Sequence, residues 1–206
     1  GTLIETETGQ RRVEDLRPDD RVWTMDRGLQ PLRWIGQRTV AAVGKFAPVR
    51  VSAVTFGDHA NLMLSPQHRI LVCDPVADLV FGTPEVLIAA KHLIDGRRVT
   101  RVEGGSVTYV HLLFDQHEIV IANGLATESF LPGPQTLDAF EDDIVDEIAQ
   151  LFPDLDLVTG QGYGYAARQI LQKHEAKLLV GAAACPGLRF LIVAPENRWL
   201  PKMRTP

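Results

Sequence analysis

Two histidines in this chain stand beside groups that could share a proton with them. His68 lies three residues after Ser65 in LSPQHRILV, and His117 lies two residues after Asp115 in FDQHEIVIANG. Each is set against an apolar run that reads as a β-strand. Imidazole is the side chain whose ordinary titration falls near neutral pH, so a histidine at the mouth of a strand can give or take a proton there. Two of them, gathered by one all-β fold with the Ser65 hydroxyl and the carboxylates of Asp115 and Glu128, point to acyl-transfer chemistry.

The same residues have quieter readings. Ser65 precedes Pro66 and could simply form a turn, as could Asp115-Gln116 before His117. Glu128 could orient a histidine or stand as a solvated edge carboxylate. His111, inside YVHLLF, reads best as a hydrogen-bonded strand histidine, and His92 and His174, in AAKHL and QKHEAK, as surface residues. Asn123-Gly124 is chiefly a hairpin turn. Strands could converge His68, His111 and His117 on a metal ion, but no local ligand spacing supports one. A serine hydrolase built on Ser65 and His68 is a poor reading, because no G-x-S-x-G elbow is present.

Composition narrows the field. The chain has 206 residues, 45% hydrophobic and 23% charged, the profile of a soluble globular protein. A net charge of -5 and the lack of a Lys/Arg run argue against nucleic acid or an anionic membrane surface as main partner. No apolar run approaches the roughly 20 residues that span a bilayer. There is no signal-like start, and the abrupt opening at Gly1 points to sequence upstream of it. Cys73 and Cys185 lack CxxC or CxxxH spacing and read as small buried residues rather than as a disulfide or zinc site.

The elements that would position these residues are mostly short strands. From residue 1 to about 135, apolar-alternating runs are separated by turn residues. TLIETETGQ alternates until Gly9 turns the chain. Val22, Trp23 and Met25 precede the Asp26-Arg27-Gly28 turn, and Leu32, Trp34 and Ile35 follow it, a hairpin pattern. Further strands are expected at 49–54, 61–64, 69–72, 85–88, 99–102, 108–114 and 118–122, with one helical turn at 89–96. Many short strands at this spacing predict an all-β sandwich, barrel or intertwined hairpins, not a βαβ fold.

After LPGPQ the period changes. Leu137, Phe140, Ile144, Ile148 and Leu151 fall at helical spacing behind a Thr136 N-cap, with Asp138, Glu141, Asp142 and Asp143 in the first turns and Pro153 as the stop. A second helix is expected over 165–184, with Ile170, Leu171, Leu178 and Leu179 inward and Pro186-Gly187 ending it. RFLIVA at 189–194 reads as a strand. The layout predicts a mainly β domain over 1–135 and a small helical C-terminal extension over 136–206.

Three blocks in order resemble the Hint domain family, the module of Hedgehog autoprocessing domains and inteins, and most closely its bacterial Hint-like branch. The first is GTLIETETGQRRVEDLRPDDRVWT. The second is LSPQHRILV, similar to the family's Thr-x-x-His block with Ser65 in the threonine place and His68 as its histidine. The third is FDQHEIVIANGLATESFLPG, whose His117 and Asn123-Gly124 precede the domain's edge. The resemblance covers about 135 residues and implies a pseudo-twofold β-hairpin fold. It implies an acyl shift from an amide nitrogen to the side chain of the domain's first residue, normally cysteine, followed by cleavage. His68 would then protonate the nitrogen, Ser65 would hold the distorted amide, and His117 would assist capture of the thioester. The substrate would be the chain's own flanking polypeptide and the acceptor water or a small nucleophile, with no cofactor.

The sequence departs from that pattern in two places. The family's cysteine belongs four residues before Gly1, and neither Cys73 nor Cys185 matches it, so the chain as given is expected not to cleave itself. Splicing domains also end in His-Asn, where Glu128-Ser129 stands here, which removes the residue that would cyclise. The competing reading is a Hint-fold binding or secretion-linked module that has lost processing. A soluble bacterial protein, cytoplasmic or secreted, fits the low cysteine content equally well.

Overall fold

A computed structural model describes residues 1–133 and 142–183. Among them are fourteen strands and three α-helices, so the mainly β architecture with a small helical extension holds. The chain opens with β1 (Leu3–Thr6), β2 (Gly9–Arg12), β3 (Arg21–Thr24), β4 (Gly28–Pro31) and β5 (Trp34–Ala41). It continues through β6 (Val49–Val51), β7 (Leu62–Leu64), β8 (Arg69–Cys73), α1 (Pro75–Phe81), β9 (Glu85–Ala89), β10 (Val99–Arg101) and β11 (Ser106–Leu113). Then come β12 (Ile119–Ala122), β13 (Leu125–Glu128), α2 (Asp142–Leu151), β14 (Gln169–Ile170) and α3 (Lys173–Ala183).

The main sheet runs β14-β9-β8-β13-β12-β1-β3-β4, with β2 paired on β1. A second sheet is ordered β10-β6-β7, and β5 and β11 form a long antiparallel arm from Ser106 opposite Ala41 to Leu113 opposite Trp34. Strands whose residues alternate, such as β6 and β7, bury one face only. β12 and β13 are buried throughout, because both of their faces are covered. The largest core gathers Leu16, Val22, Leu62, Ile70, Ile88 and Phe114 between these layers.

Two helical expectations need correction. The sequence reading assigns no element to residues 74–84, yet α1 is there. Asp74 caps it by accepting the Val76 N–H at 2.7 Å, Pro75 starts it, and Gly82 ends it in a left-handed conformation. The expected helix over 165–184 begins only at Lys173, because Gln169–Ile170 instead adds a strand parallel to β9. Leu178, expected inward, is exposed, while Ala176 and Leu179 carry the buried face three residues apart. Thr136, the Pro186-Gly187 stop, Cys185 and the strand at 189–194 lie outside the described residues.

The extension packs directly on the β body. Ile148 of α2, with Leu155, Leu157 and Tyr163, closes over Trp34 and Leu113. Leu171, Ala176 and Leu179 join the main core. Tyr163 donates its hydroxyl proton to the Phe114 carbonyl at 2.6 Å.

Candidate functional site

The site is built where three strand ends meet. The turn between β7 and β8 carries Ser65 and His68, the turn between β11 and β12 carries His117, and β13 ends on Glu128. The register explains the meeting. Glu128 lies opposite Ile119, two residues after His117, and Thr127 lies opposite Ile70, two residues after His68.

The Ser65 turn is closed by its own polar groups. The His68 N–H is shared between the Ser65 carbonyl at 3.1 Å and the Ser65 hydroxyl oxygen at 3.2 Å. The Ser65 hydroxyl therefore accepts inside the turn and keeps its own proton to donate. The Lys91 N–H to the Pro66 carbonyl (3.0 Å) and the Ala90 N–H to the His68 carbonyl (2.9 Å) brace the turn from the next layer. The His68 ring has its Nε2 buried and without a hydrogen-bond partner among the described residues. Burial holds the titration of His68 below its ordinary value; the charges of Arg69 and His117 push the same way and Glu128 opposes them. His68 is thus neutral near pH 7.

Glu128 is the hub. Its Oε1 accepts the Arg69 backbone N–H at 2.8 Å, its Oε2 accepts from the Arg69 guanidinium at 2.6 Å, and His117 Nε2 stands 3.2 Å from the same Oε2. Burial would raise the titration of this carboxyl, but His117, Arg69 and His68 outweigh it, and the group is held as a carboxylate below the usual range. It is therefore not the solvated edge residue of the quieter reading.

His117 has a fully buried side chain whose Nδ1 accepts the Ala167 backbone N–H at 2.9 Å. Its Nε2, though close to Glu128, lacks the alignment of a hydrogen bond. His111 sits on β11 opposite Gly36, its ring edge-on to Phe130 at 5.3 Å. Burial, then the charges of His68 and Arg38, push its titration down to about 4. Among the described residues no group of three His, Cys, Asp or Glu side chains is arranged to hold a metal ion.

Asp115 is not brought to the cluster. Its side chain is 55% exposed and pairs with Arg33 Nε at 3.0 Å, because the turn that buries His117 points its neighbour outward. Ser129, beside Glu128, is zipped into the body: its hydroxyl oxygen accepts the Glu118 N–H at 2.9 Å and its own N–H donates to the Glu118 carbonyl at 2.8 Å.

The entry of the chain is fixed by the β12–β13 turn. Asn123 and Gly124 form the two-residue β12–β13 turn, both at positive φ, and Asn123 pins β1 from there. Its Oδ1 accepts the Leu3 N–H at 2.7 Å, its N–H donates to the Leu3 carbonyl at 2.8 Å, and its Nδ2 donates to the Asn61 carbonyl at 2.7 Å. Ile4 pairs with Ala122, so Gly1 enters at the Asn123 end of β12. His117 lies at the other end, about 17 Å away at the usual rise of about 3.3 Å per strand residue. The register thus starts the chain at the end of β12 away from His117.

Sequence reasoning missed Arg69 and Ala167. Arg69 directly follows His68, yet nothing in QHRILV says that its guanidinium turns to Glu128. Ala167 acts through its backbone, which no residue type announces.

The profile of the Hint domain family matches residues 1–134. No curated protein matches the chain. Among solved structures, a splice-inactive variant of the AceL NrdHF class 3 split intein is similar at 14% identity and a TM-score of 0.43, over 63% of this chain and 94% of that one. The MchDnaB-1 intein is similar at 12% identity and a TM-score of 0.41, over 63% and 96%. A bacterial intein-like domain from Clostridium thermocellum is similar at 14% identity and a TM-score of 0.43, over 63% and 95%. With the family profile covering well over half of its length, the chain belongs to the Hint domain family, a family of self-processing domains.

Proposed function

We propose that this chain is the Hint domain of an autoprocessing protein that cleaves the peptide bond before a cysteine four residues ahead of Gly1. The observation that carries the reading is the buried, unpartnered Nε2 of neutral His68, next to the Ser65 turn and the Glu128 carboxylate. Leaving a buried polar atom without a partner costs about 1–3 kcal/mol, and a substrate that supplies the partner removes that cost.

The chemistry is then an N-to-S acyl shift. The cysteine sulfur attacks the carbonyl carbon of the preceding peptide bond, a C–S bond forms, the C–N bond breaks, and the nitrogen leaves as an amine with one added proton. Neutral His68 takes the proton from the thiol and delivers it to the nitrogen, while the Ser65 hydroxyl donates to the distorted amide. Water or a small nucleophile then attacks the thioester and frees the thiol. No asparagine stands at Ser129 to cyclise, so the reaction ends in cleavage, not in splicing.

The test is to express the chain with its upstream residues and follow scission by mass spectrometry. His68→Ala is expected to slow it by about 10²–10⁴. Cleavage that persists unchanged would remove His68 from the mechanism. One observation favours the second reading, an inert Hint-fold binding or secretion-linked module: Glu128 and Ser129 are locked by Arg69 and Glu118 rather than exposed to react. A residue other than Cys, Ser or Thr at the nucleophile position would support that module.

A further inference from the structure

We infer that residues 167–168 of the C-terminal extension are a positioning element of the site, fixing His117 as a hydrogen-bond donor through Nε2 rather than a base. The inference rests on the self-cleavage reading only for what the donor acts upon. A neutral imidazole carries one proton on its two nitrogens. The Ala167 N–H points at Nδ1 from 2.9 Å, so Nδ1 holds the lone pair and Nε2 holds the proton. Moving the proton to Nδ1 would set two donors against each other around a fully buried side chain.

The amide is held in place from both sides. Arg168 donates through Nε to Glu85 Oε2 at 2.6 Å and through its two terminal nitrogens to the Asp26 carboxylate at 2.7 and 3.0 Å. It also donates to the Ala167 carbonyl at 2.7 Å. The extension is thereby clamped to the β3–β4 turn and to the start of β9, and the Gln169–Ile170 strand continues the attachment along β9. The titratable and charged groups near the ring are Glu128 from β13, Arg69 from β8 and His68 from the preceding turn; the adjoining Glu118 has its carboxylate taken by Arg27 Nε at 2.7 Å. None of them reaches Nδ1; the extension's backbone does.

In this arrangement His117 holds a proton and does not move it. Its Nε2–H stands 3.2 Å from Glu128 Oε2 without the alignment of a hydrogen bond, and in the reaction it would turn to the oxygen of a thioester carbonyl, where negative charge gathers as water attacks. The role given to His117 by the family resemblance is thereby made specific, and a segment outside the matched residues 1–134 is what sets it.

The test reads the nitrogens of His117 directly, in the chain as given, by long-range proton–nitrogen NMR. The wild type is expected to show Nε2 protonated and a through-hydrogen-bond coupling between the Ala167 amide nitrogen and Nδ1. A protonated Nδ1 in the neutral ring would overturn the inference. Ala167→Pro, which removes the N–H, is expected to give a mixture of the two tautomers, and Ala167→Gly, which keeps it, the wild-type spectrum; an unmixed Nε2–H tautomer in A167P would also overturn it. If A167P fails to fold, Arg168→Gln retains the N–H but loosens the clamp, and is expected to weaken the coupling; an unchanged coupling counts against the positioning element. In the protein with its upstream residues, A167P is expected to slow thioester hydrolysis roughly fivefold, the worth of one hydrogen bond. Absence of cleavage in the wild type would defeat the self-cleavage reading while the spectrum still decides the tautomer. An altered tautomer with an unaltered hydrolysis rate would defeat the donor role.

Discussion

Glu128 faces two histidines and an arginine from one buried carboxylate, and it is the only one of these groups that favours a cationic His68. Neutralising it as Glu128→Gln leaves burial, Arg69 and His117 acting together on the ring, so the titration of His68 moves further below its ordinary value. The measurement is an NMR titration of the His68 ring protons in both proteins; a shift upward in the variant would contradict the electrostatic account. Cleavage would then persist to more acidic pH, because the neutral ring that accepts the thiol proton survives there. Residue types that carry a proton were legible in the sequence, and so Ser65, His68, His117 and Glu128 could be named. Which of them meet was not legible, since Asp115 and Glu128 looked equally able to serve and only the register of β12 and β13 separates them. The contribution of Ala167 is a backbone amide and leaves no trace in side-chain chemistry.

The β12–β13 hairpin is the element that holds entry and exit of the family-matched region together, and Asn123 is its fastener. An asparagine there does three things at once: it tolerates the left-handed φ of 50°, accepts from Leu3 and donates to Asn61. Asn123→Ala is expected to cost about 2 kcal/mol, two hydrogen bonds plus the left-handed strain, and to speed amide exchange at Leu3 and Ile4 before the rest of the sheet. Urea unfolding and hydrogen exchange check the two parts. An unchanged midpoint would show that β1 is held by its ladder alone. Asn-Gly was readable as a turn because the dipeptide meets the positive φ of both central residues. The strands were readable where apolar and polar residues alternate. β13 went unread because it is buried on both faces and shows no alternation, and α1 because its seven residues follow an apolar run without a visible change of period. The signals for α1 were nevertheless present in Asp74, Pro75 and Gly82.

Across the whole molecule, the extension is sewn into the β body rather than tethered to it. Trp34 and Leu113 are buried under Ile148, Leu155 and Tyr163, and Leu171 and Leu179 complete the main core. Removing residues 134–206 would open that apolar surface and free the outer edge of β9, so a 1–133 fragment is expected to lose several kcal/mol and to aggregate, whereas the full chain should unfold in one transition. Calorimetry on the two proteins distinguishes this from independent units, which would give a stable fragment. Between pH 6.5 and about 4 the pH dependence of that single transition belongs to the buried histidines. Burial depresses His68, and depresses His111 from 6.5 to about 4. Above pH 6.5 both states of the protein leave His111 neutral and its contribution is complete. Between pH 6.5 and about 4 the unfolded chain binds a proton that the folded chain refuses, so stability falls as pH falls, by about 2–3 kcal/mol from this residue, and the slope ends once the folded ring also protonates. Glu128 acts lower, its contribution being present above its ordinary value of 4.5 and lost as pH falls through its depressed one. His111→Phe keeps an aromatic ring against Phe130 and removes the titration, so it should flatten the pH 6.5–4 limb. Urea midpoints measured across that range decide it: an acid limb as steep in the variant as in the wild type would place the acid sensitivity elsewhere in the cluster.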